Sequence, residues 1–266
     1  MNSSSNSNSD GALDSSPLLA IQAHGNLHVS RFGLNKVVAT QVATQVEVDR
    51  GKITLTALRA QLLQGTHQGN WVIDLTNQDP SSHDASAPGT SAQILRYRGA
   101  GTLQDISLAQ VGSLPSNTMG DTTSDATNDA WIAGTADAKF EVEGSGGGFR
   151  DLLARSDGKL QFVMRNGSLP LVEIPGSPVP LPVHRFAGEL RLKKGAWELA
   201  AGRLESRDGI YQVRGTASPG SGLDFVLTRG DEQSWTLTGT LAKPHVALGS
   251  RTVARRTETG AKTVKP

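Results

Sequence analysis

Apolar residues recur at every second position over most of this chain, the spacing that sets them on one face of a β-strand. In ADAKFEVEG, Ala138, Phe140 and Val142 alternate with Asp137, Lys139, Glu141 and Glu143. GKLQFVMRNG places Leu160, Phe162 and Met164 opposite Gln161 and Arg165, and FAGELRLKKG places Phe186, Leu190 and Leu192 opposite Glu189, Arg191 and Lys193. Trp197 and Leu199 flank Glu198, while Leu223, Phe225 and Leu227 share one phase of GLDFVLTRG. SWTLTGTLAKP sets Trp235, Leu237 and Leu241 against Thr236, Thr238 and Thr240. Earlier, VEVDRGKITLTAL predicts a hairpin, with Val46 and Val48 before a turn at 49–51 and Ile53 and Leu55 after it.

Glycines between these runs fall about eight to twelve residues apart, where turns call for positive φ. The pattern predicts a mainly β chain, an antiparallel meander of about fourteen strands with one polar and one apolar face. Such a sheet buries its apolar face against a second sheet, closes into a barrel, or curls into a groove. One window breaks the period: in GFRDLLARSDG, Phe149, Leu152 and Leu153 follow helical spacing, which predicts a short helix over 149–156 stopped near Gly158.

Low-complexity polar stretches bound the strands. Residues 1–24 and the basic tail 249–266, with Arg251, Arg255, Arg256, Lys262 and Lys265, read as disordered ends of a domain over 25–248. Stretches 77–93 and 115–129 read as long loops. The N-terminus has neither the basic-then-apolar pattern of a secretory signal nor a membrane-spanning run.

Composition removes several chemistries. The 266 residues carry 26 Lys plus Arg and 25 Asp plus Glu, for a net charge of +1, without the basic excess of a nucleic-acid binder. With no Cys there is no disulfide framework, thiolate metal site or cysteine nucleophile. No nucleophile elbow, Walker loop or paired-His metal motif occurs, and the six histidines, His24, His28, His67, His83, His184 and His245, are scattered. The sequence therefore points to no catalytic residue, metal or cofactor. Asn166-Gly167-Ser168 reads as a turn rather than a glycosylation site. Trp197 and Trp235 fall on the apolar phase, as core residues or at the rim of a ligand surface.

Three stretches resemble a known family. GTADAKFEVEGSGGGFRDLLARSDGKLQFVMRNGSLPLVEI, with Gly134, Gly144, Leu152, Leu153, Gly158, Asn166 and Gly167 as landmarks, is similar to the C-terminal segment of AsmA-like proteins. The segment from Gly25, with Gly51, Leu55, Leu58, Ala60, Leu62, Gly65 and Gly69, resembles the preceding family unit, and GTLAKPHVAL resembles its closing strand. The resemblance implies a non-enzymatic periplasmic β-groove module. It would be tethered to the inner membrane by a segment upstream of this chain, related to TamB-like and other bridge-like lipid transfer proteins. It would conduct phospholipid toward the outer membrane, with other envelope proteins as further partners.

Lipid transport makes a physical demand. A sixteen-carbon chain in water costs roughly 13 kcal/mol at about 0.8 kcal/mol per CH₂, so the apolar surface must be continuous. Candidate groove residues are Phe140, Val142, Leu160, Phe162, Met164, Leu190, Leu192, Trp197, Leu199, Phe225, Leu227, Trp235 and Leu237. Fourteen strands would give a trough of roughly 65 Å, the length of an end module in a longer conduit. Two alternatives stay open: a structural β-scaffold of an envelope complex, whose apolar face is simply core, and a carbohydrate-handling β-solenoid.

Overall fold

The computed structural model describes residues 19–34, 37–78, 93–112, 132–146, 154–174, 177, 179–218, 222–230, 233–240 and 244–249. Thirteen strands form one sheet: β1 Gln22–Leu34, β2 Val37–Asp49, β3 Lys52–Leu62, β4 Gly65–Gln78, β5 Gln93–Ser107, β6 Ala133–Gly146, β7 Asp157–Leu169, β8 Leu181–Lys193, β9 Ala196–Ser206, β10 Gly209–Ser218, β11 Gly222–Arg229, β12 Gln233–Gly239 and β13 Pro244–Leu248. Each strand pairs antiparallel with its sequence neighbours, and the order runs from β1 to β13 without a crossover. The sheet is open, and a short helix, α1 (Leu108–Gly112), follows β5. The expected meander is therefore present, one strand shorter than the predicted count among the described residues.

Valine and threonine drive the long early strands. β2 reads VVATQVATQVEVD, and such β-branched side chains suit a pleated, half-buried surface. The predicted hairpin is present, with Val46 opposite Leu55 and Val48 opposite Ile53. Arg50 and Gly51 at its tip both have left-handed φ, 44° and 87°, the turn whose twist matches that of the flanking strands.

Several expectations are corrected. The ordered sheet starts at Gln22, inside the stretch read as a disordered leader. Asn166-Gly167 is no hairpin turn: both lie inside β7, with Asn166 at φ 49° marking a kink in the strand. Most of the predicted helix over 149–156 and both predicted loop interiors, 79–92 and 115–129, lie outside the described residues, as do residues 1–18 and 250–266. Of that helix, Ala154 is helical and Arg155 a turn. Within GTLAKPHVAL, the closing strand β13 is confined to its last five residues and opens at Pro244.

Bulges bend the strands. The register between β3 and β4 slips between Leu55 and Leu58, and that between β5 and β6 slips between Leu103 and Ile106. At each slip one residue turns left-handed, Ala57 at φ 53° and Asp105 at φ 53°. A side chain on the next strand takes each freed N–H: Asn70 Oδ1 accepts from Ala57 at 2.8 Å, and Asp137 Oδ1 accepts from Asp105 at 3.0 Å. Such insertions increase local twist and bend a strand. The Asp105 amide, followed by the Arg165 guanidinium, holds the Asp137 carboxyl below the usual carboxylate range.

Candidate functional site

The cross-strand registers place one row of side chains side by side through the whole sheet. From β1 to β13 it reads Gly25, Val46, Leu55, Trp71, Gly99, Val142, Gly158, Leu192, Trp197, Ala217, Leu223, Gly239 and Pro244. A second row runs from Leu58 through Gly69, Gly101, Phe140, Leu160, Leu190, Leu199, Gly215, Phe225 and Leu237 to Val246. Neither row contains a polar side chain. The opposite face carries the charges, among them the cross-strand pairs Arg98 with Glu143 at 2.7 Å and Lys159 with Glu141 at 3.1 Å. All of these pairs are solvated and add little to stability.

Glycine has a second role on the apolar face. Trp71 stands opposite Gly99, Tyr97 opposite Gly144, Phe140 opposite Gly101, Phe162 opposite Gly188 and Phe225 opposite Gly215. A Cβ on Gly99 would meet the Trp71 ring at 2.3 Å, and one on Gly144 would meet Tyr97 at 2.8 Å. Gly99, Gly101, Gly144 and Gly215 are the floor on which neighbouring rings lie, not the turn punctuation that spacing alone predicts, whereas a Cβ on Gly188 would meet Leu199 Cδ1 at 2.8 Å. Rings on alternate strands then meet above the middle strand: His67 on β4 stacks on Phe140 of β6 at 5.6 Å, with Trp71 5.8 Å from the same ring.

Cover on this face is uneven. From β7 to β12 it is a packed core: Met164, Leu181, Leu199, Leu204, Tyr211, Val213, Leu227, Trp235 and Leu237 form one buried cluster with Val172 and Ile174. Those last two belong to the β7–β8 connection, so the chain lays its own strap over this half. Tyr211 is fully buried; its hydroxyl lies 3.3 Å from Ser177 Oγ on the strap and accepts from Arg229 Nη1 at 3.3 Å. The Arg229 guanidinium lies over the Tyr211 and Trp235 rings, a favourable cation placement.

From β1 to β6 no described segment straps this face: it is bare at the edge strand β1, half-buried along most of the rows, and buried locally at Ala60, Leu75 and Ile106. Leu27 is 44% exposed and Phe32 54%, whereas Leu204 in the covered half is 1% exposed. Thr44 and His67 are buried polar groups here, and the titratable one is His67. Its Nδ1 donates to the Thr102 carbonyl at 3.1 Å while Nε2 accepts the Trp71 indole N–H at 3.2 Å. That pairing fixes the neutral tautomer, and burial pushes the imidazole pKa below its usual value.

The thirteen candidate residues divide along this boundary. Met164, Leu199, Leu227, Trp235 and Leu237 are in the core, and Leu192 is buried beside it. Phe162, Leu190 and Phe225 are half-buried against the core. Phe140, Val142, Leu160 and Trp197 are half-buried on the apolar rows outside that cluster. Sequence reasoning missed the strap, Tyr211, and the grouping of His67, Trp71 and Tyr97 with Phe140. Trp71, on the row with Leu55, carried a period-two signal.

Other chemistry is sparse. A shallow cleft of about 620 Å³ at the strand ends is lined by Lys52, Arg96, Arg98 and Arg155 with Asp74, Glu143 and Asp157, charged residues that stand off the apolar rows. Among the described residues no group of His, Asp and Glu is placed to hold a metal ion. No described helix is long and apolar enough to cross a membrane. No family model, curated protein or solved structure matches this chain. The likeness to AsmA-like proteins accordingly rests on the sequence landmarks alone.

Proposed function

We propose that this protein is a non-enzymatic lipid-binding module that shelters acyl chains on the open, β1–β6 half of its apolar face. One observation carries the reading: an apolar row continues through all thirteen strands and a second from β3 to β13, while among the described residues a strap lies over the β7–β12 half alone and Leu27 and Phe32 on β1 stay exposed. The β1–β6 half spans five strand intervals, roughly 24 Å at about 4.8 Å each, enough to lay an acyl chain across several strands. Each buried CH₂ contributes about 0.8 kcal/mol, so a continuous apolar row needs no covalent chemistry to hold a tail. In keeping with the AsmA-like resemblance, the setting we propose is the periplasm. There the module would be tethered to the inner membrane and serve as an end piece of a longer phospholipid conduit toward the outer membrane, in contact with other envelope proteins.

The test is photo-crosslinking to phospholipid vesicles from a benzophenone side chain at Leu27, Trp71 or Phe140, with Leu204 as the covered control. Capture from the open positions and none from Leu204 supports the reading. A folded protein that captures no lipid from any open position overturns it. A second reading, an envelope scaffold without lipid, is favoured by the strap and core of β7–β12; it predicts silence at every position.

A further inference from the structure

We propose that β1 is a seam at which two copies of this chain join edge to edge into one continuous sheet. The two edges of the sheet are built differently. β13 is five residues long and opens at Pro244, the short, proline-blunted edge that discourages further pairing. β1 is thirteen residues long, contains no proline, and carries Arg31 as its one Lys, Arg, Asp or Glu. No described strand pairs with its outer side, so roughly half of its residues direct backbone N–H and C=O groups away from β2.

The apolar face is also bare at this edge, with Leu27 44% and Phe32 54% exposed. An added strand that continues the apolar rows would cover both. The sequence of the first eighteen residues offers no apolar alternation to match those rows, twelve of them being Ser, Asn or Asp. A second β1 does. A two-fold axis normal to the sheet pairs the strands antiparallel and keeps both apolar faces on the same side. That contact is self-complementary and closes at two copies, whereas β1 against β13 would pair five residues and propagate as a filament. The joined sheet would have twenty-six strands, about 120 Å long at 4.8 Å spacing. The proposal stands apart from lipid binding, because it is read from mass and crosslinks.

The test uses the full 266-residue chain. Light scattering coupled to size exclusion is expected to give twice the 28.0 kDa chain mass. Leu27→Lys, which sets a charge on the seam, is expected to raise the dimer dissociation constant at least tenfold. Because the protein has no Cys, single cysteines introduced one at a time from Asn26 to Val29 give a readout that survives if the lysine variant misfolds. Inter-copy disulfide yield should peak at the residue nearest the axis and fall on either side. A monomer at about 100 μM with no disulfide from any position overturns the proposal, as does an open ladder of higher oligomers.

Discussion

The indole N–H of Trp71 donates to Nε2 of His67 at 3.2 Å, while the other imidazole nitrogen is committed to the Thr102 carbonyl. A buried histidine is thus locked neutral by two hydrogen bonds, one of which needs Nε2 as an acceptor. Protonation would place a second donor against the Trp71 N–H.

The consequence is a pH dependence of known sign. The folded pKa of His67 lies below the ordinary 6.5, so above that value neither state carries the proton and the stability contribution is complete. As pH falls through the unfolded pKa, the unfolded chain takes up a proton that the folded chain refuses, and stability drops. Urea midpoints measured between about pH 7.5 and 5.5 should fall more steeply for the wild type than for His67→Phe. Equal slopes would show that His67 is not held neutral. The carboxylates with lowered pKa values, Asp49, Asp74, Asp137 and Glu189, titrate below this window and do not mask it.

The two halves of the apolar face should respond differently to the same charge. Leu204→Asp buries a carboxylate in the core, where an unpaired charge is strongly destabilising, and is expected to unfold the sheet or cost more than about 4 kcal/mol. Phe32→Asp alters an exposed side chain and is expected to shift stability by less than about 1 kcal/mol. Acyl-chain capture by that variant should fall at least severalfold. Thermal melts decide the first comparison and vesicle crosslinking the second; a Phe32→Asp protein that unfolds would mean the open half is core.

Period two was enough to find this meander because a one-residue slip would move every side chain to the other face. Val46, Val48, Ile53 and Leu55 could therefore be paired before any coordinates. Cover was not legible. Leu199 and Leu160 occupy the same phase of neighbouring patterns, yet the first is buried and the second half-exposed, because only Leu199 belongs to the cluster that Val172 and Ile174 of the strap complete. The strap itself, SLPLVEIPGSPVP in sequence, has no periodicity to announce that Val172 and Ile174 return to the sheet. Mid-strand glycines were misread for a related reason: Gly99 looks like a turn residue until the ring of Trp71 is found above it.

Strap removal should expose the covered half without dismantling the strands. Ile174→Ala deletes a side chain that is 2% exposed and is expected to cost about 2–4 kcal/mol. Tyr211→Phe keeps the ring, drops the hydroxyl between Ser177 and Arg229, and is expected to cost about 1 kcal/mol. Hydrogen exchange should then quicken along 169–181 in both variants before it quickens in β3 or β4. Uniform quickening across the sheet would mean that the strap and the sheet unfold as one unit.

The β3–β4 turn stores strain that sequence reading did not see. Leu63 and Gln64 both sit at left-handed φ, 51° and 64°, in the two-residue turn that most favours Asn-Gly. The left-handed region costs a side-chain-bearing residue roughly 1 kcal/mol, and the turn is retained because the Leu63 carbonyl accepts the Ser107 N–H at 2.9 Å. Gly65 does not relieve it: a Cβ there would meet the Gln104 carbonyl at 2.2 Å, so this glycine is required for close approach of β4 to β5. Gln64 is exposed, so Gln64→Gly removes strain with little lost contact and should stabilise the protein by about 0.5 kcal/mol after the added entropy of the unfolded chain. Leu63→Gly should not, because it also strips a half-buried side chain. Denaturation midpoints of the two variants should therefore move in opposite directions, and a Gln64→Gly protein less stable than wild type would show that the turn is unstrained.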